Sequence, residues 1–186
     1  MLKLFIVPTN TCFGLWCFLA DIESYNKIYK IKWRDFSKPL AIFLDSLSTL
    51  KNISNLTAEQ IDFLQNYDKP WTILIDKKNI KNKNIIQNID KLPNADIYEK
   101  IGFRIAHNFM HKKLIKKWWF FFLTSANKTG DKEIKSSTFV REYFKKEIEK
   151  YDIKVFAHQD FIIESSYDFS DIFEFTKDWI RYLRKN

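Results

Sequence analysis

The chain has 186 residues, 46% of them hydrophobic and 17% aromatic, and a formal charge of +8. That length reads as one domain, residues 1–186, able to bury a core without metals or disulfides, and the apolar fraction excludes a disordered chain. The longest apolar runs, such as Trp118 to Leu123, fall far short of the roughly 20 residues that span a bilayer.

The first residues, Met1 to Pro8, lack a cleavage site and read as a buried strand, not a signal peptide. Leu4 to Val7 forms that strand, and Cys12-Phe13-Gly14-Leu15-Trp16-Cys17 follows as a turn. The two cysteines find no Cys or His pair to complete a zinc site. They read as buried free thiols of a cytoplasmic protein. Ile22, Tyr25, Ile28 and Tyr29 repeat at helical spacing behind an Asp21 cap. A basic loop from Lys30 to Pro39 leads into a buried strand, Leu40 to Leu44. Thr57 opens a helix with an acidic first turn, and Trp71 to Ile75 is a further strand. The Asn- and Lys-rich stretch Lys77 to Asn94 reads as a surface excursion.

Ile101 to Arg104 and Trp119 to Thr124 are apolar runs that flank a basic amphipathic helix, His111 to Lys117. A strand–helix–strand unit of this kind places Arg104, Ser125 and Asn127 on one rim of a sheet, where ligands bind in open α/β folds. Ser137-Thr138 caps a helix running to Ile148, Ile153 to Ala157 is a strand, and Ser170 to Phe175 with Trp179 to Arg184 forms a closing hairpin. The order predicts an α/β fold with a twisted mixed sheet flanked by helices.

Individual chemical signals are weak. Lys32 and Arg34, two apart, would point the same way in an extended loop and meet one anion. With 31 Lys and Arg in the chain, such a pair also recurs by chance. His107, His111 and His158 are scattered and read as surface residues, and no Ser-His-Asp order, carboxylate pair or P-loop occurs. The positive charge suits a polyanionic partner. Lysine and asparagine richness with scarce glycine is also what an AT-rich genome writes, so charge alone does not imply RNA binding.

The segments together are more specific. Pro8-Thr9-Asn10-Thr11-Cys12-Phe13-Gly14-Leu15 comes first, then Lys32-Trp33-Arg34 with Lys38-Pro39-Leu40. Phe103-Arg104-Ile105 and Thr124-Ser125-Ala126-Asn127-Lys128-Thr129-Gly130 follow. In this order they resemble the YrdC-like threonylcarbamoyl-AMP synthase family, whose patterns run P-T-[DE]-T-x-[YF]-G-L, K-x-R-x-x-x-K-P-L, v-R-x-P and S-A-N-x-S-G. Ser170-Asp171-Ile172 resembles the family's S-T-I, and Arg184 its closing arginine.

The resemblance implies a YrdC-like fold with a concave basic cavity. It implies an enzyme of the short bacterial form that condenses L-threonine, bicarbonate and ATP with Mg2+ to threonylcarbamoyl-AMP and pyrophosphate. The product would pass to a tRNA threonylcarbamoyltransferase complex that modifies position 37. By motif, Lys32 and Arg34 would be catalytic and bind ATP. Thr9 and Arg104 would take L-threonine, and Ser125, Asn127, Ser170 and Arg184 would complete the ATP site. No protein metal ligand is implied, and no membrane. The alternatives are a non-catalytic YrdC-like module that binds RNA weakly, and a carbamoyl-transferring module of the hydrogenase-maturation kind.

The chain departs from the pattern at Asn10, Ala106 and Asp68-Lys69-Pro70, and the family's leading helix is expected to be missing or to lie upstream. It also holds 6 Trp and 3 Gly, where average usage near 7% would give about 13 glycines. Trp16 and Trp33 stand at glycine positions of the pattern. Trp118, Trp119 and Trp179 stand at expected loops and turns, whereas Trp71 is less clear. Some bacterial lineages read UGA as glycine, and such a gene translated with the standard code would show Trp at these sites. The competing reading is real hydrophobic residues in an aromatic core.

Overall fold

The computed structural model describes residues 4–105, 111, 112, 115 and 120–185. Nine strands form one mixed sheet: β1 Leu4–Pro8, β2 Phe13–Phe18, β3 Ala41–Leu44, β4 Trp71–Asp76, β5 Lys100–Ile105, β6 Phe121–Ser125, β7 Lys154–Val155, β8 Asp171–Thr176 and β9 Trp179–Arg184. Their spatial order is β7-β1-β2-β6-β3-β5-β4-β8-β9. The helices are α1 Ile22–Lys32, α2 Leu47–Ile53, α3 Ala58–Asn66, α4 Lys83–Asp90, α5 Ser137–Tyr143 and α6 Lys145–Tyr151. No helix among the described residues is long and apolar enough to cross a membrane.

Successive residues of a strand face opposite sides, and here the two sides differ sharply. Ile6, Leu15, Cys17, Phe122, Ile42, Phe103, Ile73 and Phe173 share one face and one core with Tyr25, Ile28 and Tyr29 of α1 and Ile85 and Ile89 of α4. On the other face Phe5, Val7, Trp16, Phe43, Phe121 and Leu123 form a second, smaller cluster with Ile115. Both faces of the central strands are therefore covered, which is why they read as nearly continuous apolar runs.

Local chemistry sets the element ends. The Asp21 carboxylate accepts from the Ser24 amide at the start of α1, as expected. Thr57 and Gln60 complete a capping box at α3. Several expectations need correction. Residues 13–18 are a strand, not a turn, because the chain reverses earlier, at Thr9 to Cys12, and Val7 pairs with Gly14. The polar stretch 77–94 holds α4, since Asn82 caps it and Ile85 and Ile89, four apart, are buried. The helix expected from Ser137 to Ile148 is two helices, capped by Ser136 and broken at Phe144. His111 is buried, not at the surface, and packs against Trp16 and Phe43. His111, Lys112 and Ile115 are helical as expected. The rest of that segment, with Ala106, His107, Trp118 and Trp119, lies outside the described residues.

Candidate active site

Of the predicted site residues, Arg34, Arg104, Ser125, Ser170 and Arg184 line a hollow over the second face. Arg104 on β5 and Phe43 on β3 are register partners, as are Ala41 on β3 and Leu123 on β6. Thr72 on β4 pairs with Ile172 on β8, and Ile172 with Arg184 on β9. Ala41, Leu123, Thr72, Ile172, Arg104 and Arg184 line this hollow together with Thr11, Arg34, Ser125, Glu133 and Asp168, and Phe43 packs in the cluster beneath. A Cβ on Gly102 would come within 3.3 Å of both Leu74 and Thr72, so glycine keeps the floor low between them.

The rim expectation fails in its geometry. β5 runs parallel to β3 and β6 antiparallel to it, so the C-terminal ends of β5 and β6 lie at opposite ends of the sheet. Arg104 and Ser125 meet across the face, not along an edge. Asn127 does not line the hollow: its amide donates to the Asp131 carbonyl at 2.6 Å, and its oxygen faces Lys32 Nζ at 3.3 Å.

Lys32 and Arg34 also part company. Lys32 ends α1 and is 2% exposed. Its Nζ donates to the Ser125 carbonyl at 2.5 Å and to the Asn127 carbonyl. Burial, and then the charge on Arg34, lower its pKa to about 7. The surrounding carbonyls pull the other way, since an ammonium has three protons to give. Burial sets the direction, and the two carbonyls, which accept the ammonium's protons, oppose it. Trp33 turns the chain left-handed, and Arg34 emerges on the hollow side. Its Nε donates to the Lys38 carbonyl at 3.0 Å and its Nη2 to the Pro39 carbonyl at 3.1 Å.

Arg104 donates from Nη2 to Asn10 Oδ1 at 2.7 Å, with Thr11 Oγ1 at 3.5 Å. Its Nε is shut from solvent with no hydrogen-bond partner among the described residues. Burial lowers its pKa to about 10, still charged at neutral pH. Such an unpaired buried donor is costly unless a ligand completes it. Arg184 donates from Nε to the Ser170 carbonyl at 3.0 Å and lies 4.6 Å from the Phe169 ring, while Ser170 Oγ bonds Thr72 Oγ1 at 2.9 Å.

Thr9 is not among the lining residues. Its hydroxyl donates to the Cys12 carbonyl at 2.7 Å and accepts from the Thr11 and Cys12 amides, so it holds the β1–β2 turn. Thr11 and Cys12 line the hollow instead. Reading the sequence missed them, along with Thr72, Glu133 and Asp168. Thr11 lay two residues from a flagged threonine, and Thr72 had a signal in strand alternation. Glu133 and Asp168 come from irregular segments with none.

The Sua5/YciO/YrdC domain family, described as "Telomere recombination", matches residues 3–185. The chain belongs to this family. No curated protein sequence matches it. The structure of P. abyssi Sua5 complexed with L-threonine is similar at a TM-score of 0.71 and 20% identity, over 98% of this chain and 50% of that one. E. coli YciO is similar at 0.66 and 18%, over 98% and 82%. Full-length HypF in its phosphate- and nucleotide-bound form is similar at 0.73 and 20%, over 98% of this chain and 26% of that one. The chain thus spans about half the length of the Sua5 structure, and at these identities the likeness shows a Sua5/YciO/YrdC fold.

Proposed function

We propose that this Sua5/YciO/YrdC domain is an L-threonylcarbamoyladenylate synthase. The observation that carries the reading is the hollow itself, where Arg34, Arg104 and Arg184 face one space and the buried Arg104 Nε has no hydrogen-bond partner among the described residues. Guanidinium groups bind phosphate and carboxylate through paired N–H donors, and the substrates here are a triphosphate and an amino acid. The threonine amine takes up bicarbonate carbon as a carbamate, with loss of water. A carbamate oxygen then attacks the ATP α-phosphorus, and the bond to the β-phosphate oxygen breaks to release pyrophosphate. The step needs alignment and charge neutralisation more than a protein nucleophile.

In this reading Arg104, with Asn10 and Thr11 beside it, takes the threonine or carbamate carboxylate. Arg34 and Arg184 take the phosphates, and Ser125, Ser170 and Thr72 offer hydroxyls to the nucleotide. Lys32 acts at one remove, by fixing the Ser125–Asn127 backbone, unless the loop opens to admit phosphate to its Nζ. Mg2+ would arrive on the triphosphate, its charge offsetting that of the phosphates. Among the described residues no group of three His, Cys, Asp or Glu could hold it, so phosphate and water oxygens fit as its ligands. The product would serve a tRNA threonylcarbamoyltransferase complex. Purified protein given ATP, Mg2+, threonine and bicarbonate should release pyrophosphate only when all are present. Release without threonine, or none with all of them, would overturn the reading.

A further inference from the structure

Behind the hollow, on the helix-covered side, four polar side chains form a closed hydrogen-bond circuit. The Leu40 amide donates to Tyr98 Oη at 2.9 Å, and Tyr98 Oη lies 2.9 Å from Tyr25 Oη. Tyr25 donates to Asn94 Oδ1 at 2.9 Å. Asn94 Nδ2 donates to the Phe36 carbonyl at 2.7 Å and lies 3.4 Å from Tyr29 Oη. Tyr29 donates to the Lys38 carbonyl at 2.9 Å, and its ring stacks on Phe36 at 4.3 Å. Each hydroxyl has one proton, so with Tyr25 donating to Asn94 and Tyr29 to Lys38 the Tyr98 proton goes to Tyr25, and Asn94 donates to Phe36. Tyr25 Oη and Tyr29 Oη, 3.0 Å apart, then share no proton between them. A flipped Asn94 amide would set its oxygen against the Phe36 carbonyl.

Every exit from this circuit lands on residues 36–40, the loop whose Lys38 and Pro39 carbonyls also receive Arg34. We propose that Tyr98, Tyr25, Asn94 and Tyr29 are positioning residues for Arg34. They hold the two carbonyls that aim its guanidinium into the hollow. The inference rests on the synthase reading for its kinetic readout only.

Tyr29→Phe removes the proton given to Lys38, and Tyr98→Phe the acceptor of Leu40, each with little change of shape. Both should raise the KM for ATP roughly tenfold, the scale of one hydrogen bond of about 1.4 kcal/mol, with the KM for threonine unchanged. A merely structural role would lower the active fraction and leave both KM values alone. In Arg34→Ala, adding Tyr29→Phe should cost nothing more. Amide exchange at residues 36–40 should quicken in both single variants without substrate. An inactive wild type would sink the synthase reading and leave the exchange measurement to decide this one. Unchanged exchange, an unchanged KM for ATP in active variants, or additive losses in the double variant would overturn it.

The backbone carries a second inference independently. Among the described residues three non-glycines have positive φ: Trp33 at 50°, Asp152 at 49° and Trp179 at 88°. Aspartate tolerates the left-handed region, but a bulky side chain there is strained. Trp33 ends α1 as its left-handed cap, a glycine position by physics. Trp179 follows the Lys177-Asp178 turn and pairs with Thr176, the bulge position that glycine fills in hairpins. Their indoles stay 73% and 44% exposed, Trp33 beneath Lys128 Nζ at 4.4 Å and Trp179 beside Phe63 and Phe175, contacts at the surface and not in the core. Trp16 differs: it lies in β2, fully buried among Phe43, Phe121 and His111.

We infer that residues 33 and 179 are glycine in the protein as its source cell makes it, written by UGA codons. The gene sequence and the masses of the two spanning peptides from native protein test this. UGA at both codons, with peptides lighter by the Trp-to-Gly difference, is the expected result. UGG at either, or tryptophan in either peptide, overturns it.

Discussion

The two faces of the sheet use the same strands for opposite ends. Phe103 and Arg104 are neighbours on β5. Phe103 sits in the large core with Ile42 and Ile73, and Arg104 lines the hollow with a buried Nε that has no partner among the described residues. On the helix-covered face the buried tyrosine hydroxyls and Asn94 bond one another and the loop beside them. The hollow face leaves guanidinium groups facing one another, which folding alone would not select. One-residue alternation therefore separates stability from function, and substitutions should divide along it.

The sharpest break comes from the hollow side. Arg104→Ala should abolish pyrophosphate release, at least a hundredfold, because its contact with a charged substrate has no substitute. Arg34→Ala should do nearly as much. Both should keep the melting temperature of the wild type within a few degrees. A normal rate in either would dissolve the distinction between the faces.

Phe103→Ala, one residue away, should do the reverse. Emptying so large a buried side chain costs roughly 3–5 kcal/mol, readable by denaturant unfolding. Protein that remains folded should keep its KM for ATP. A selective rise in that KM would show the core face shaping the site directly.

How far these roles were legible follows the same division. The core face was readable because apolar residues at period 2 and at helical spacing are dictated by burial itself, as at Ile42, Phe103 and Tyr25. Arg104 at a strand end and Arg34 two residues from Lys32 were weak signals alone, and with Arg184 they gained specificity through their order along the chain. The failures were of topology. A strand–helix–strand reading put the ends of β5 and β6 on one rim, whereas β3 lies between them and the two run in opposite directions. That reading placed Asn127 at the rim, and the family resemblance placed Thr9 at threonine, whereas both side chains bond within local turns. Thr9→Val should accordingly lower stability through the Cys12 and Thr11 bonds, while leaving threonine affinity in the folded fraction intact.

Lys32 lies where the two faces meet, and pH separates its roles. Its folded pKa of about 7 is below its ordinary 10.5, so between those values the unfolded chain binds the extra proton. Stability attributable to Lys32 should therefore rise from pH 7 to pH 10 and be lost as pH falls through that window. Unfolding of wild type and Lys32→Met across it should show the slope only in the wild type. Parallel curves would mean that the carbonyls of Ser125 and Asn127 hold the ammonium charged throughout.

The smallest effect is expected at Ser125, whose carbonyl serves the buried side through Lys32 and whose position lines the hollow. Ser125→Ala keeps the carbonyl and removes only the hydroxyl. One hydrogen bond to a nucleotide is worth roughly 0.5–1.5 kcal/mol, so ATP affinity by calorimetry should fall about two- to tenfold, with unfolding unchanged. Asn127→Ala should behave differently, losing stability first, because its amide is tied to Asp131. If both variants lose affinity equally and neither loses stability, the two residues act together on the nucleotide, and the boundary between the faces lies one residue further along the chain.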